Sequence, residues 1–456
     1  MQTNFTSEQL QDPRTAEVDR ILRRCVHCGL CTATCSTYVL LGDERDSPRG
    51  RIYLMKDMFE TGAKASSEVQ HHVDRCLTCL SCTTTCPSSV DYMHLVDLAR
   101  AHIEETGQRS TADRLIRKAL AYLIPHPHRF RRALALAPLG RLMTPVFRRL
   151  GLPQVEAMLA LAPKTLPPEG LYSGPGTAKA HEPTDPDMAS RPRRRVILLA
   201  GCAQQVLRPD INDSTIRLLA RRGVDVEVAA DAGCCGALVH HMGKEQEAIA
   251  QAMANVDAWT KVLDREPADA IIINASGCGT MVKDYGHLLR NHPSHAEKAA
   301  WVSALAMDVT EFLANNDIGP PKRWSSLRVA YHAACSMQHG QRIIDQPKML
   351  LRKAGFTVLD VPEGHICCGS AGVYNVLQPD IAGRLRERKV ENIERVRPDV
   401  IAAGNLGCIS QIQLGTPIPV VHTIELIDWA CGGPVPPGLE KLQDAVTDVP
   451  EPKKVS

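Results

Sequence analysis

Two cysteine runs of one form stand near the start of this chain, and they constrain it more than any other feature. The first is Cys25-Val-His-Cys28-Gly-Leu-Cys31-Thr-Ala-Thr-Cys35, and the second is Cys76-Leu-Thr-Cys79-Leu-Ser-Cys82-Thr-Thr-Thr-Cys86-Pro87. Both read C-x2-C-x2-C-x3-C, the spacing of paired [4Fe–4S] clusters. Three closely spaced thiolates wrap one face of a cubane, and the fourth, one residue further on, points away to the neighbouring cluster. This assigns Cys25, Cys28, Cys31 and Cys86 to one cluster, and Cys76, Cys79, Cys82 and Cys35 to the other. Tetrahedral zinc usually takes two C-x2-C pairs across a longer loop, which fits these overlapping runs poorly.

Composition narrows the setting. The 456 residues exceed one core, so two to four domains are expected. With 44% hydrophobic and 23% charged residues and a net charge of +2, neither a nucleic-acid binder nor an acidic disordered chain is indicated. No apolar run is long enough to span a bilayer, and the first residues are polar without a signal segment, so a cytoplasmic location is expected. Seventeen cysteines in a reducing compartment read as metal-binding or redox-active rather than disulfide-bonded.

Around the runs, helices are expected over 50–61 and 88–106, the latter capped by Ser88 or Ser89, making an α-helical ferredoxin module of residues 1–110. Ser36 stands where a proline usually follows the first run, which alters the turn but removes no ligand. Arg49 and Arg51 fall close to the cysteines. Two readings of them stay open, cations that raise a cluster potential or residues of a solvated turn.

The C-terminal half is a duplication. Copy one opens on Val-Ile-Leu-Leu-Ala-Gly-Cys202, reaches Cys234-Cys235-Gly236 and closes on Ile-Ile-Ile-Asn-Ala-Ser-Gly-Cys278. Copy two repeats this as Val-Ala-Tyr-His-Ala-Ala-Cys335, Cys367-Cys368-Gly369 and Val-Ile-Ala-Ala-Gly-Asn-Leu-Gly-Cys408, with 32 positions from first to second cysteine in both. Short apolar runs alternating with helical stretches make each copy an α/β domain with largely parallel strands. Each cysteine follows the carboxyl end of a strand, where open α/β sheets bind ligands, so the sulfurs should converge within each copy. The two copies are expected to pack about a pseudo-two-fold axis, with at least one crevice facing the ferredoxin module or the quinone side.

The middle is less informative. Residues 111–162 read as helices with a basic, amphipathic piece from His128 to Leu152. A helix packed on its own domain is favoured there over a membrane or partner surface. Residues 163–192 are proline-rich and read as a linker. The copies span 193–325 and 326–434, and 435–456 reads as a poorly ordered tail. Cys431 lies outside both copies and reads as a packing residue.

The cysteine motifs of the second half resemble the CCG domains of heterodisulfide reductases. The whole order, with CVHCGLCTATC, LLGDERDSPRGRIYLMK and DRCLTCLSCTTTCPSSV, resembles the glycolate oxidase iron–sulfur subunit family. The fold class is then multidomain α+β, a ferredoxin module followed by two CCG domains. The resemblance implies two [4Fe–4S] clusters and a relay of electrons from an FAD-binding subunit, beside a second flavoprotein-like subunit, toward a quinone or other acceptor. It also implies glycolate oxidation to glyoxylate by the complex. With the basic piece of residues 128–152 as the surface that could meet lipid, a peripheral contact at the inner face of the membrane joins the cytoplasmic expectation. No G-x-G-x-x-G opens a helix here, so the chain alone is not expected to bind flavin or oxidise substrate.

Heterodisulfide reductases add a fifth cysteine in a terminal C-x2-C, whereas Met281 and Gln411 stand at those positions. For Cys202, Cys234, Cys235 and Cys278, and for Cys335, Cys367, Cys368 and Cys408, three readings therefore compete: further iron–sulfur or metal sites, reducible thiols, or packing. Alternatives for the whole chain are an iron–sulfur subunit of anaerobic glycerol-3-phosphate or lactate dehydrogenase, a disulfide reductase acting through the CCG domains, and a zinc-stabilised scaffold.

Overall fold

The computed structural model describes residues 1–171, 174–179, 193–316 and 319–448. Its N-terminal part is helical, with helices Pro13–Arg23, Ser36–Leu41, Pro48–Thr61, Ser67–Asp74, Ser81–Thr85 and Tyr92–Thr106. Local sequence starts them: the Ser47 hydroxyl accepts from the Gly50 N–H with Pro48 at the first helical position, and the Ser66 hydroxyl caps the next helix. Val18, Leu22, Ile52, Met55, Val73, Leu95 and Ala99 close a core beneath the two cysteine runs.

The last of these helices begins later than its sequence indicates. Asp91, not Ser88 or Ser89, caps it by accepting from the His94 N–H. Ser89 sits at φ 49° in the turn after Pro87, a conformation incompatible with an N-cap.

Residues 111–161 form the helices Thr111–Leu123, Pro127–Ala135, Ala137–Leu142, Thr144–Arg149 and Pro153–Leu161. The segment read as a linker differs where it is described: β1 (Gly176–Ala178) pairs antiparallel with β3 (Val224–Val228) as an edge strand. Residues 180–192 lie outside the described part.

Copy one is completed by β2 (Arg194–Leu199), β4 (Ala270–Ile273) and β5 (Ala306–Asp308), in the order β1-β3-β2-β4-β5. Copy two has β7 (Arg328–His332), β8 (Thr357–Asp360), β9 (Val400–Ala403) and β10 (Val420–His422), in the order β10-β9-β7-β8. All pairs except β1–β3 are parallel within these sheets, and the order β3-β2-β4-β5 repeats as β8-β7-β9-β10. Of the segment read as a tail, β11 (Val446–Asp448) pairs antiparallel with β6 (Arg323–Ser325).

The duplication extends to the contact between copies. Helix Asp210–Arg221 of copy one packs on helix Thr423–Ala430 of copy two, and helix Val309–Asn315 of copy one packs on helix Gln346–Lys353. Those are the same two structural positions exchanged, which a pseudo-two-fold relation requires. On one side Arg217 and Arg221 hold the buried Asp428 carboxylate at 2.7 and 2.6 Å.

Candidate redox site

The two cysteine loops share one backbone conformation. His27 and Thr78, the second residues after the first cysteines, have φ of 56° and 49°, and Gly29 and Leu80, after the second cysteines, have 83° and 61°. Three of these four are not glycine, and such angles cost about 1–3 kcal/mol each and persist only where the surroundings enforce them. The turn aims backbone amides at the sulfurs, as in Thr78 N–H to Cys76 Sγ at 3.4 Å.

Each loop borders its own cavity. Cys25, Cys28, Cys31 and Cys86 line the first together with Pro48, Arg49 and Tyr92. Cys35, Cys76 and Cys79 line the second with Ser36, Thr37, Arg51 and again Pro48 and Tyr92. Cys82 borders both. The fourth cysteine of each run thus stands at the other run's cavity, a donor set suited to two adjacent cubanes. Burial pushes the Cys31 thiol up to about 11 and holds Cys79 and Cys82 still higher, so these sulfurs stay protonated until a metal displaces the protons to solvent. The sets differ in exposure: Cys28 is exposed at the rim of the first cavity, beside Val26 and Leu30, whereas Cys35, Cys76 and Cys82 are buried.

Of the two arginines, Arg49 pairs with Glu44 at 2.5 Å and remains partly solvated. Arg51 is 1% exposed. Its guanidinium lies 4.0 Å from Cys35 Sγ, donates to Thr37 Oγ1 at 3.1 Å and to the His72 carbonyl at 2.7 Å, and pairs with Asp46 at 3.2 Å. Asp46 is itself 0% exposed and also receives Arg75 at 2.9 Å and His72 at 3.0 Å. A buried cation beside a cluster ligand needs such an anion nearby. Sequence alone could not separate Arg51 from Arg49; the helix register over 48–61 carries the signal, since Arg51 shares a face with Ile52, Met55 and Met58.

Ser36, the residue in place of the usual proline, begins the helix after the first run and is buried. Its hydroxyl accepts the Cys367 backbone N–H of copy two at 2.9 Å. Copy two therefore covers the second cavity. Tyr374 O–H donates to the Arg75 carbonyl at 2.9 Å, and Leu77 packs with Ile366, Cys367 and Leu385, with Cys79 and Cys335 at the edge of that cluster. Of the two crevices, that of copy two faces the ferredoxin module at its second cysteine set.

In both copies the cysteines gather at the strand ends. Cys202 contacts Cys234, and Cys235 contacts Cys234 and Cys278. In copy two Cys335 and Cys367 approach to 3.8 Å, and Cys368 contacts Cys367 and Cys408. The turn that stacks adjacent cysteines depends on Gly236 and Gly369, both at φ 90°. A Cβ on Gly369 would lie 2.6 Å from the Ala382 carbonyl oxygen. Cys431 is elsewhere, buried in the core between the copies with the Arg222 guanidinium 3.7 Å from its sulfur.

Comparison with known proteins agrees with this division. The model of the 4Fe-4S dicluster domain matches residues 21–90, and that of the cysteine-rich domain matches twice, over 196–283 and 329–413. The glycolate oxidase iron–sulfur subunit of Escherichia coli K12 is 41% identical over 430 residues, covering 94% of this chain and 99% of that protein. A probable glycolate oxidase iron–sulfur subunit of Bacillus subtilis is 30% identical, covering 95% and 99%. Lactate utilization protein A of Geobacillus thermodenitrificans is 26% identical over 249 residues, 51% of this chain and 98% of that protein. Among the described residues no helix is long and apolar enough to cross a membrane.

Proposed function

Because this chain belongs to the glycolate oxidase iron–sulfur subunit family, we propose that it is the electron relay of a cytoplasmic glycolate-oxidising complex. Its partners are then an FAD-binding subunit, which takes the hydride from glycolate, and a second flavoprotein-like subunit, with a quinone as acceptor. Bound on Cys25, Cys28, Cys31 and Cys86, and on Cys76, Cys79, Cys82 and Cys35, two [4Fe–4S] clusters supply one-electron steps between a two-electron flavin and the acceptor. The observation that carries the reading is the pair of cysteine-lined cavities sharing Pro48 and Tyr92 as a common wall.

The protein's own residues do the rest. Exposed Cys28, with Val26 67%, Leu30 55% and Tyr53 60% exposed around it, gives the flavin subunit an apolar docking edge at the first cavity. Arg51 holds a positive charge against the second set. Exposed Leu136, Leu139, Leu142 and Leu150, with exposed Arg129, Arg132, Arg148 and Arg149, support a peripheral contact with anionic lipid at the inner face of the membrane.

The test is reconstitution. Anaerobically purified chain should carry about eight irons in the ferredoxin module and no flavin. Glycolate-dependent reduction of its clusters should appear only when the flavin subunit is added. Cluster reduction by glycolate with the isolated chain, or zinc in place of iron on the two runs, overturns the proposal.

A further inference from the structure

The two copies differ at one buried position beside their cysteines. Three residues before the first cysteine, copy one has Leu199 at the end of β2, and copy two has His332 at the end of β7. His332 is 2% exposed, and its Nε2 meets no hydrogen-bond partner among the described residues. Leaving a buried polar nitrogen unmatched costs about 1–3 kcal/mol, so an imidazole kept here calls for a partner.

The surroundings say which kind. One ring nitrogen of His332 and the sulfurs of Cys368 and Cys408 all lie within 4.8 Å of one another, and all three residues are buried. A tetrahedral ion with metal–sulfur bonds of about 2.3 Å sets its ligands about 3.8 Å apart, so these atoms need only a small contraction to share one ion. A cubane places each thiolate on a different iron, and needs a wider set. Cys367 contacts Cys368 but stands outside that mutual set, and a turn of its side chain about the Cα–Cβ bond would bring it in as a fourth donor. Among the described residues, copy one has no three donors mutually within 4.8 Å, although Cys235 contacts Cys234 and Cys278, and buried Leu199 stands at the position of His332.

We infer that copy two holds a single zinc-class divalent ion on His332, Cys368 and Cys408, with Cys367 as fourth ligand, and that copy one holds none. Binding exchanges the thiol protons for the metal and releases them to solvent. Because Cys367 also donates its backbone N–H to Ser36, the ion would fix the loop that covers the second cysteine set.

Metal analysis of the full chain, purified anaerobically, tests this separately from the electron-relay reading. Wild type should hold about one zinc besides about eight irons, and His332→Leu should lose the zinc while keeping the iron and the EPR signals of both ferredoxin clusters. His332→Cys, which offers a thiolate from the same position, should retain the metal. Chain produced with Co2+ should show thiolate-to-cobalt charge-transfer bands, tetrahedral d–d bands and nitrogen coupling from one imidazole. Wild type without zinc, zinc unchanged in His332→Leu, or loss of about four irons in that variant (a cluster at the site) each overturns the inference. Should the leucine variant not fold, cobalt in the wild type lacking imidazole coupling overturns it alone.

Discussion

Arg51 is the residue whose removal tests the electrostatics of the second cluster most directly. Its guanidinium lies 4.0 Å from Cys35 Sγ and is 1% exposed, so water screens it poorly. At an effective dielectric of about 20, a unit charge at that distance is worth about 4 kcal/mol to an electron placed on the sulfur. Spreading the electron over a whole cluster roughly halves this, to ~2 kcal/mol, or about 90 mV for a one-electron couple. Arg51→Met should therefore lower the midpoint potential of one cluster by about that amount. The cluster on Cys25, Cys28, Cys31 and Cys86 should move less. Arg51→Lys keeps the charge and should stay near wild type, which separates charge from packing. The variant also leaves Asp46 with only Arg75 and His72, so some loss of stability is expected. An EPR-monitored redox titration reads both midpoints. Equal shifts of the two clusters, an upward shift, or none would refute the reasoning.

Three further outcomes follow from the same geometry. Cys86→Ser should damage the cluster of Cys25, Cys28 and Cys31 and spare the other; Mössbauer spectra showing the reverse would disprove the crossed ligation. His94 is buried against its own charge, but hydrogen bonds to Asp284 and Asp91 push its pKa up to about 10, above the value of about 6.5 in the unfolded chain. Its stabilising contribution is then full below that unfolded value and is lost as pH rises through the folded one. Thermal midpoints should fall between neutral pH and pH 10, and His94→Asn should flatten that slope; an unchanged slope counts against it. Gly369→Ala places a Cβ 2.6 Å from the Ala382 carbonyl at a left-handed φ and should cost at least about 1–2 kcal/mol, measured by denaturant unfolding.

What the sequence conveyed was whatever depends on spacing. The cysteine intervals carry the pairing of Cys86 with the first cavity and Cys35 with the second, because a loop's reach is fixed by residue count. The duplicated apolar runs carry the repeated strand order, since a buried parallel strand is written as a short apolar stretch. Tertiary partners were not legible. Ser36 looked like a missing proline until its hydroxyl met Cys367, 331 positions away. Arg51 and Arg49 looked alike because their difference lies in which side of one helix faces Asp46. The strand Gly176–Ala178 hid among prolines, since an edge strand needs only one neighbour to form. His332 did leave a trace, a polar residue ending an apolar strand where the sister copy has leucine, visible once the copies are aligned.

The unequal burial of the two cysteine sets also decides how the protein withstands air. Cys28 is exposed at the rim of the first cavity, so dioxygen and peroxide reach its sulfur, and would reach the iron of a cluster bound there, without any opening of the fold. The second set lies beneath Ile366, Tyr374 and Leu385, with Ser36 bolted to Cys367 across the seam. Of this set only Cys79 is partly exposed, so an oxidant reaches the buried Cys35, Cys76 and Cys82 chiefly when copy two lifts away, a local unfolding event with its own free energy. Bleaching in air should therefore run in two phases. The fast one strips the cluster at exposed Cys28, and the slow one reports how often the seam opens.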